Sequence, residues 1–287
     1  MKNKRDETKI EQDLRQIADM LLLNGTLASC PGLLHGKMGI AIFFFHYAQH
    51  TDNELYENYA VDLIGLIQEQ IHNNSPADFE TGLAGIGAGM DFLIKNHFLG
   101  AENDIFEDFD NRMYRAVMYD PWLDFSMYDG LTGYGQYWMM RLRQQEPSGR
   151  ACECLSHITE QIVEKLPSIS TKEQTDVYCF LQKLHHISGF NICTALSKQC
   201  KKWNMQLTDV NLSFPRLGNS TVGNIIRKFH HSQYFNSTPQ SVQMKQIPDL
   251  DMDKPPDRIG LLTGYAGEGM LRLTALNQSN TKWMQLL

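Results

Sequence analysis

The chain has 287 residues, 42% of them hydrophobic, and a formal net charge of −7. It is long enough to bury a large core, and no break in composition divides it, so one domain spanning 1–287 is expected. The acidic balance, with Lys201-Lys202 as an isolated basic pair on a solvated face, argues against a nucleic-acid surface, which needs dense Lys and Arg.

Met1-Lys2-Asn3-Lys4-Arg5-Asp6-Glu7 opens a charged amphipathic segment instead of the apolar stretch of a signal peptide. No apolar run approaches the roughly 18 residues of a membrane span. A cytoplasmic protein without membrane contact is expected. The cysteines Cys30, Cys152, Cys154, Cys179, Cys193 and Cys200 are thinly scattered and read as reduced thiols.

In chain order, Ile10, Leu14, Ile17 and Leu21 keep one face of a helix that Gly25 stops. The string His35-Gly36-Lys37-Met38-Gly39-Ile40-Ala41 follows. Leu55, Tyr59, Leu63, Leu66 and Ile67 mark a second amphipathic helix, ahead of Thr81-Gly82-Leu83-Ala84-Gly85-Ile86-Gly87. Ile105, Phe109, Met113 and Val117 mark a third, ahead of Asp129-Gly130-Leu131-Thr132-Gly133-Tyr134-Gly135. Leu155, Ile158, Ile162 and Leu166 mark a fourth, with Pro167 just past its end. A last string reads Thr263-Gly264-Tyr265-Ala266-Gly267-Glu268-Gly269.

The four strings share Gly-x-x-Gly-x-small, and their first glycines are separated by 46 (82−36), 48 (130−82) and 134 (264−130) residues. The last gap is close to three periods, so six units fit, each the length of a helical hairpin, with two of them degenerate. Apolar helix-like runs such as Phe43-Phe44-Phe45 and Tyr137-Trp138 follow the strings, which places each glycine cluster at a helix N-terminus. Glycine there permits positive-φ turns and close backbone approach around a narrow axis. The degenerate fourth inner helix is expected near 176, with Asp176 as N-cap, and the fifth near 221, after Gly218-Asn219-Ser220. Residues 235–257, with Pro239, Pro248, Pro255 and Pro256, read as an irregular loop. The expected fold is all-α: an α/α toroid of about six helical hairpins, with glycine-rich loops at the inner-helix N-termini.

This arrangement resembles the lanthionine synthetase C-like (LanC-like) family of α/α toroids over residues about 10–280. The resemblance is strongest in Gly32-Leu33-Leu34-His35-Gly36-Lys37-Met38-Gly39, in Gly82-Leu83-Ala84-Gly85-Ile86-Gly87 and in Leu262-Thr263-Gly264-Tyr265-Ala266-Gly267-Glu268-Gly269. It implies a role in peptide maturation, where active members use a zinc-activated cysteine thiolate to close a thioether ring on a dehydrated Ser or Thr. The family's zinc is held by a Cys from one glycine loop and a Cys-His pair from the next. Here Gly218-Asn219-Ser220 and Leu262-Thr263-Gly264 carry neither residue, so no zinc and no other cofactor is expected. The family also places an acidic residue four positions before a loop glycine. Asp78 stands four before Gly82, while in the third unit that position is Ser126, flanked by Asp124 and Asp129.

The candidate site residues are His35, Asp78, Asp129 and Glu268, with Asp124 and Asp176 beside them. His35 is a candidate base because imidazole titrates near neutral pH, and the carboxylates lie near helix starts, where the dipole favours them whatever their function. Cys152 and Cys154 point about 200° apart on a helix and cannot share a metal. Cys179, His185, His186 and Cys193 form the other soft-ligand group. Two readings follow. One is a LanC-like protein without zinc-dependent cyclase activity that binds a peptide or a peptide-modifying enzyme. The other is an enzyme whose carboxylates act on a carbohydrate or peptide.

Overall fold

The computed structural model describes residues 2–100, 105–120, 124–142, 149–165, 168–185, 187, 221–234, 242, 244, 247–251, 258–262, 264–278 and 280–287. Among them the chain is mostly helical and contains no strand. The expectations for Gly218-Asn219-Ser220, Cys193, Cys200, His186, Leu166, Pro167, Lys201, Lys202, Thr263 and most of 235–257 lie outside the described residues. No helix among the described residues is long and apolar enough to cross a membrane.

The chain divides into two compact units. The first comprises Met1–Ser75, Lys95–Phe98 and Arg216–Leu287, and the second Pro76–Ile94 and Leu99–Pro215. The first holds helices α1 (Lys2–Asn24), α2 (Lys37–Thr51), α3 (Glu54–Gln70), α9 (Thr221–Tyr234) and α10 (Tyr265–Leu276). The second holds α4 (Leu83–Lys95, its last residue in the first unit), α5 (Glu107–Met118), α6 (Leu131–Leu142), α7 (Gly149–Lys165) and α8 (Thr171–His185).

Two kinds of helix follow from the sequence pattern. In α2 every residue from Lys37 to Phe45 is buried, and in α10 every residue from Tyr265 to Ala275. A helix apolar on all sides must be surrounded, and α10 packs against both α1 and α2. By contrast α3 buries the stripe Ala60, Leu63, Ile64 and Ile67, and α1 buries Ile10, Leu14, Ile17 and Leu21 before its α-helical turns give way at Gly25 to a 3-10 turn. The second unit repeats the distinction. Helix α4 is buried from Leu83 to Leu93, whereas α7 buries only Ala151, Cys154, Leu155, Ile158 and Ile162. Cys154 is buried and Cys152 exposed, as their separation on the helix requires.

Leu55 departs from the expected stripe and is 73% exposed. It lies in the first turn of α3, where Asn53 Oδ1 takes its N–H, and the neighbouring Tyr56 ring packs on Tyr47 and Phe44 instead. An ionic clasp joins α5 to α6 in the second unit: Asp110 of α5 accepts the Tyr137 hydroxyl at 2.6 Å and both Nε and Nη2 of Arg141, at 2.8 and 2.9 Å.

Candidate functional site

Each of the four glycine helices begins one residue after its first glycine, and each is preceded by the same folded-back loop. The first helical N–H donates to the carbonyl seven residues earlier: Lys37 to Cys30 (3.0 Å), Leu83 to Pro76 (2.9 Å), Leu131 to Asp124 (3.0 Å) and Tyr265 to Arg258 (3.0 Å). That bond curls the loop over the helix start and presses its carbonyls onto the glycine. A Cβ at Gly82 would lie 2.2 Å from the Pro76 oxygen, and one at Gly36 2.3 Å from the Cys30 oxygen. Space therefore selects glycine here. The expected positive-φ turn is not used, since Gly36 (φ −126°) and Gly264 (φ −110°) have extended backbones.

The loops also pair within each unit. The N–H of Glu80 donates to Tyr128 O at 3.1 Å, and that of Leu262 to Leu34 O at 3.1 Å. All four residues stand two before their own first glycine. The second glycine backs onto the adjacent loop, so that a Cβ at Gly133 would meet Phe79 Cβ at 3.0 Å and one at Gly39 would meet Leu261 Cβ at 2.8 Å. The third lies under an aromatic ring: Gly87 under Tyr137, Gly135 under Phe180, and Gly269 under Phe43.

Phe43 and Tyr137 each stand seven residues after their first glycine. Counting back from Phe180 puts Glu173 at the first-glycine position of α8 and Asp176 at the second. The carboxylates do there what the loops do elsewhere. Glu173 Oε1 accepts the N–H of Phe125 at 2.8 Å, and Asp176 Oδ2 that of Met127 at 3.0 Å. Ser170 and Glu173 close a capping box at the helix start, with Oε2 taking the Ser170 N–H at 3.1 Å and the Ser170 hydroxyl facing the Glu173 N–H. Asp176 is therefore not the N-cap expected from sequence; it lies in the second turn of a helix that Ser170 caps. Burial pushes its pKa up to about 7, with the charges of Asp124 and Glu173 acting in the same direction.

In the second unit, Asp78 Oδ1 accepts the N–H groups of Thr81 (2.6 Å) and Gly82 (3.2 Å), and Oδ2 the Thr81 hydroxyl (3.1 Å). Asp124 does the same in the next loop, taking the Ser126 N–H at 2.9 Å and its hydroxyl at 2.7 Å. Asp129 is exposed at the tip of that loop. Between the loops lies Tyr134, whose pKa is raised first by burial and further by Asp78, Asp124 and Asp120. A cavity of about 620 Å³ in this unit is lined by residues that include Asp120, Asp124, Phe125, His157, Lys165 and Glu173.

In the first unit, His35 sits half-buried in its loop, with Gly260 backed against its Cα. Glu268 is buried. Its Oε2 pairs with Nη1 of Arg272 at 3.2 Å, while Arg272 Nε bonds Asp13 of α1 at 3.0 Å and Nη2 the Pro248 carbonyl at 3.1 Å. Arg272 is 1% exposed, so the pair is a buried structural link between α10 and α1. A second cavity, about 560 Å³, lies at the opposite ends of α2 and α10, lined by residues that include His46, Asn96, Phe98 and Lys282.

Glu173, Tyr134 and Asp120 escaped the sequence reading. The signal for Glu173 was present, because Glu173-x-x-Asp176 with Phe180 repeats the spacing of Gly130-x-x-Gly133 with Tyr137. No group of three His, Cys, Asp or Glu among the described residues could hold a metal. Compared with models of known protein families and with curated protein sequences, the chain matches none.

Proposed function

We propose that this chain is a LanC-like α/α toroid of six helical hairpins that binds a peptide, or an enzyme that modifies one, without zinc-dependent thioether cyclisation. One observation carries the reading. The bond from Leu262 to Leu34 joins the last glycine loop to the first in the register with which Glu80 joins the second loop to the third. Such a bond between the first and last glycine loops is what a closed ring of hairpins would use, and so it supports that reading. The placing of Gly269 under Phe43, like Gly87 under Tyr137, supports the same closure.

Binding is favoured over chemistry because the acidic candidates are engaged elsewhere. Asp78 and Asp124 hold their own loops, and Glu268 neutralises a buried guanidinium. A general acid or base must reach a substrate proton, and these carboxylates spend their lone pairs on structure. The cavity lined by Asp124 and Glu173 offers the peptide carboxylates, an imidazole and apolar side chains in one cleft.

The test uses a fluorescent peptide bearing one dehydroalanine and one cysteine, with and without equimolar zinc. Saturable binding by anisotropy, with no zinc-dependent thioether product by mass spectrometry, is the expected result. Zinc-dependent ring closure, or no binding at all, would overturn the proposal.

A further inference from the structure

We propose that Glu173 and Asp176 form a proton-operated clamp on the third glycine loop. Among the four loops just described, this one is held by two carboxylates of α8 at two successive points, the N–H groups of Phe125 and Met127. Asp124, which leads the loop, and Phe125 line the 620 Å³ cavity together with Glu173. Whatever moves the clamp thus moves the wall of that cavity.

The groups around Asp176 determine how it switches. Asp124 faces it from the loop. From its own helix come Glu173, the Cys179 thiol and Lys183, whose ammonium also reaches Gln136 of α6 at 3.3 Å. Burial holds the Cys179 thiol near 12, so it stays neutral, while burial brings Asp176 to about 7. When ionised, Asp176 grips Met127 through a charge-assisted bond, roughly twice as strong as a neutral one, but faces two like charges. When protonated, its grip weakens and the repulsion of Asp124 and Glu173 ends. The loop and the cavity wall therefore have two settings, exchanged by one proton.

The clamp is independent of what the cavity binds; only its consequence for ligand affinity rests on the peptide-binding reading. The test accordingly uses the full chain without ligand. The amide resonance of Met127 is followed by transverse-relaxation-optimised NMR from pH 5.5 to 8.5 in the wild type, in Asp176→Asn and in Glu173→Gln. A Met127 titration with midpoint near 7 is expected in the wild type and its loss in Asp176→Asn. Glu173→Gln should keep the titration but lower its midpoint, because one negative neighbour is gone. A flat Met127 resonance in the wild type, or an unchanged titration in Asp176→Asn, would overturn the clamp. Should Asp176→Asn fail to fold by circular dichroism, Glu173→Gln decides alone, and an unshifted midpoint in it overturns the proposal.

Discussion

The ring of Phe43 lies over Gly269 so closely that a Cβ on the glycine would come within 2.3 Å of the ring's Cε2. Phe43 is fully buried and stacks on Tyr47 at 5.5 Å between centroids, so it has no room to retreat. Gly269→Ala is expected to lower stability by about 1–3 kcal/mol, the usual cost of overpacking. Gly65 is the control: it sits in the middle of α3 with nothing within 4 Å of its Cβ position. Gly65→Ala should raise stability by about 0.5–1 kcal/mol. Chemical denaturation of both variants measures the contrast, and equal effects would remove close approach as the reason for the glycine.

Two half-buried groups contribute to the pH dependence of stability with opposite signs. Asp176, raised from 3.8 to about 7, stabilises the fold fully below pH 3.8 and loses that contribution as pH rises through 7. His46 lies against the Phe98 ring at 4.8 Å and is lowered from 6.5 to about 4 by burial. Its contribution is complete above pH 6.5 and is lost as pH falls through 4. Asp176→Asn is therefore expected to gain stability at pH 8 relative to the wild type, by up to about 4 kcal/mol, and to gain little at pH 4. Urea titrations at the two pH values check the difference. A gain independent of pH would mean that the carboxylate is not the titrating group.

Arg272 serves two carboxylates, Asp13 and Glu268, in a nearly dry site. Replacing it by Ala leaves both without their counter-ion and should cost about 3–5 kcal/mol. Glu268→Gln should lower stability while leaving ligand binding at the other residues unchanged. Parallel melting and binding curves for the two variants test this, and lost binding with unchanged melting would return Glu268 to the functional site.

Asp78 is expected to behave as a cap. Asp78→Ala removes the acceptor for the Thr81 and Gly82 amides and should cost about 0.5–2 kcal/mol, with Asp78→Asn retaining much of the bond and of the stability. Thermal unfolding of the pair is the measurement. Lost peptide binding in Asp78→Asn at wild-type stability would instead mark a direct contact.

The glycine strings made their helices legible because the loop carbonyls leave those positions no alternative. The amphipathic helices were legible from their apolar stripes, except where an end residue such as Leu55 turns outward. A helix was expected near residue 176 and one runs over Thr171–His185, but what holds its start was hidden. Glu173 and Asp176 satisfy by side-chain acceptance what other repeats satisfy by backbone approach, and a search for glycine passes over them. The candidate site was least legible. Asp78 and Glu268 are acidic residues near helix starts in either role, and only their partners, the Thr81 amide and the Arg272 guanidinium, show how each is engaged.

The pairing of Leu262 with Leu34 spans 228 residues (262−34) and so bears on how the chain is made. A ribosome adding about 5–20 residues per second needs roughly 10–50 seconds to travel from one to the other. Throughout that interval α2, apolar on every side, has been synthesised while α10, which covers part of it, has not. Contacts so distant in sequence are slow to form, so the nascent chain passes through a long period with this apolar helix incompletely sheltered. Chaperone capture of stalled chains that end before residue 258, and their release once residue 276 has emerged, would be the cellular signature of that delay.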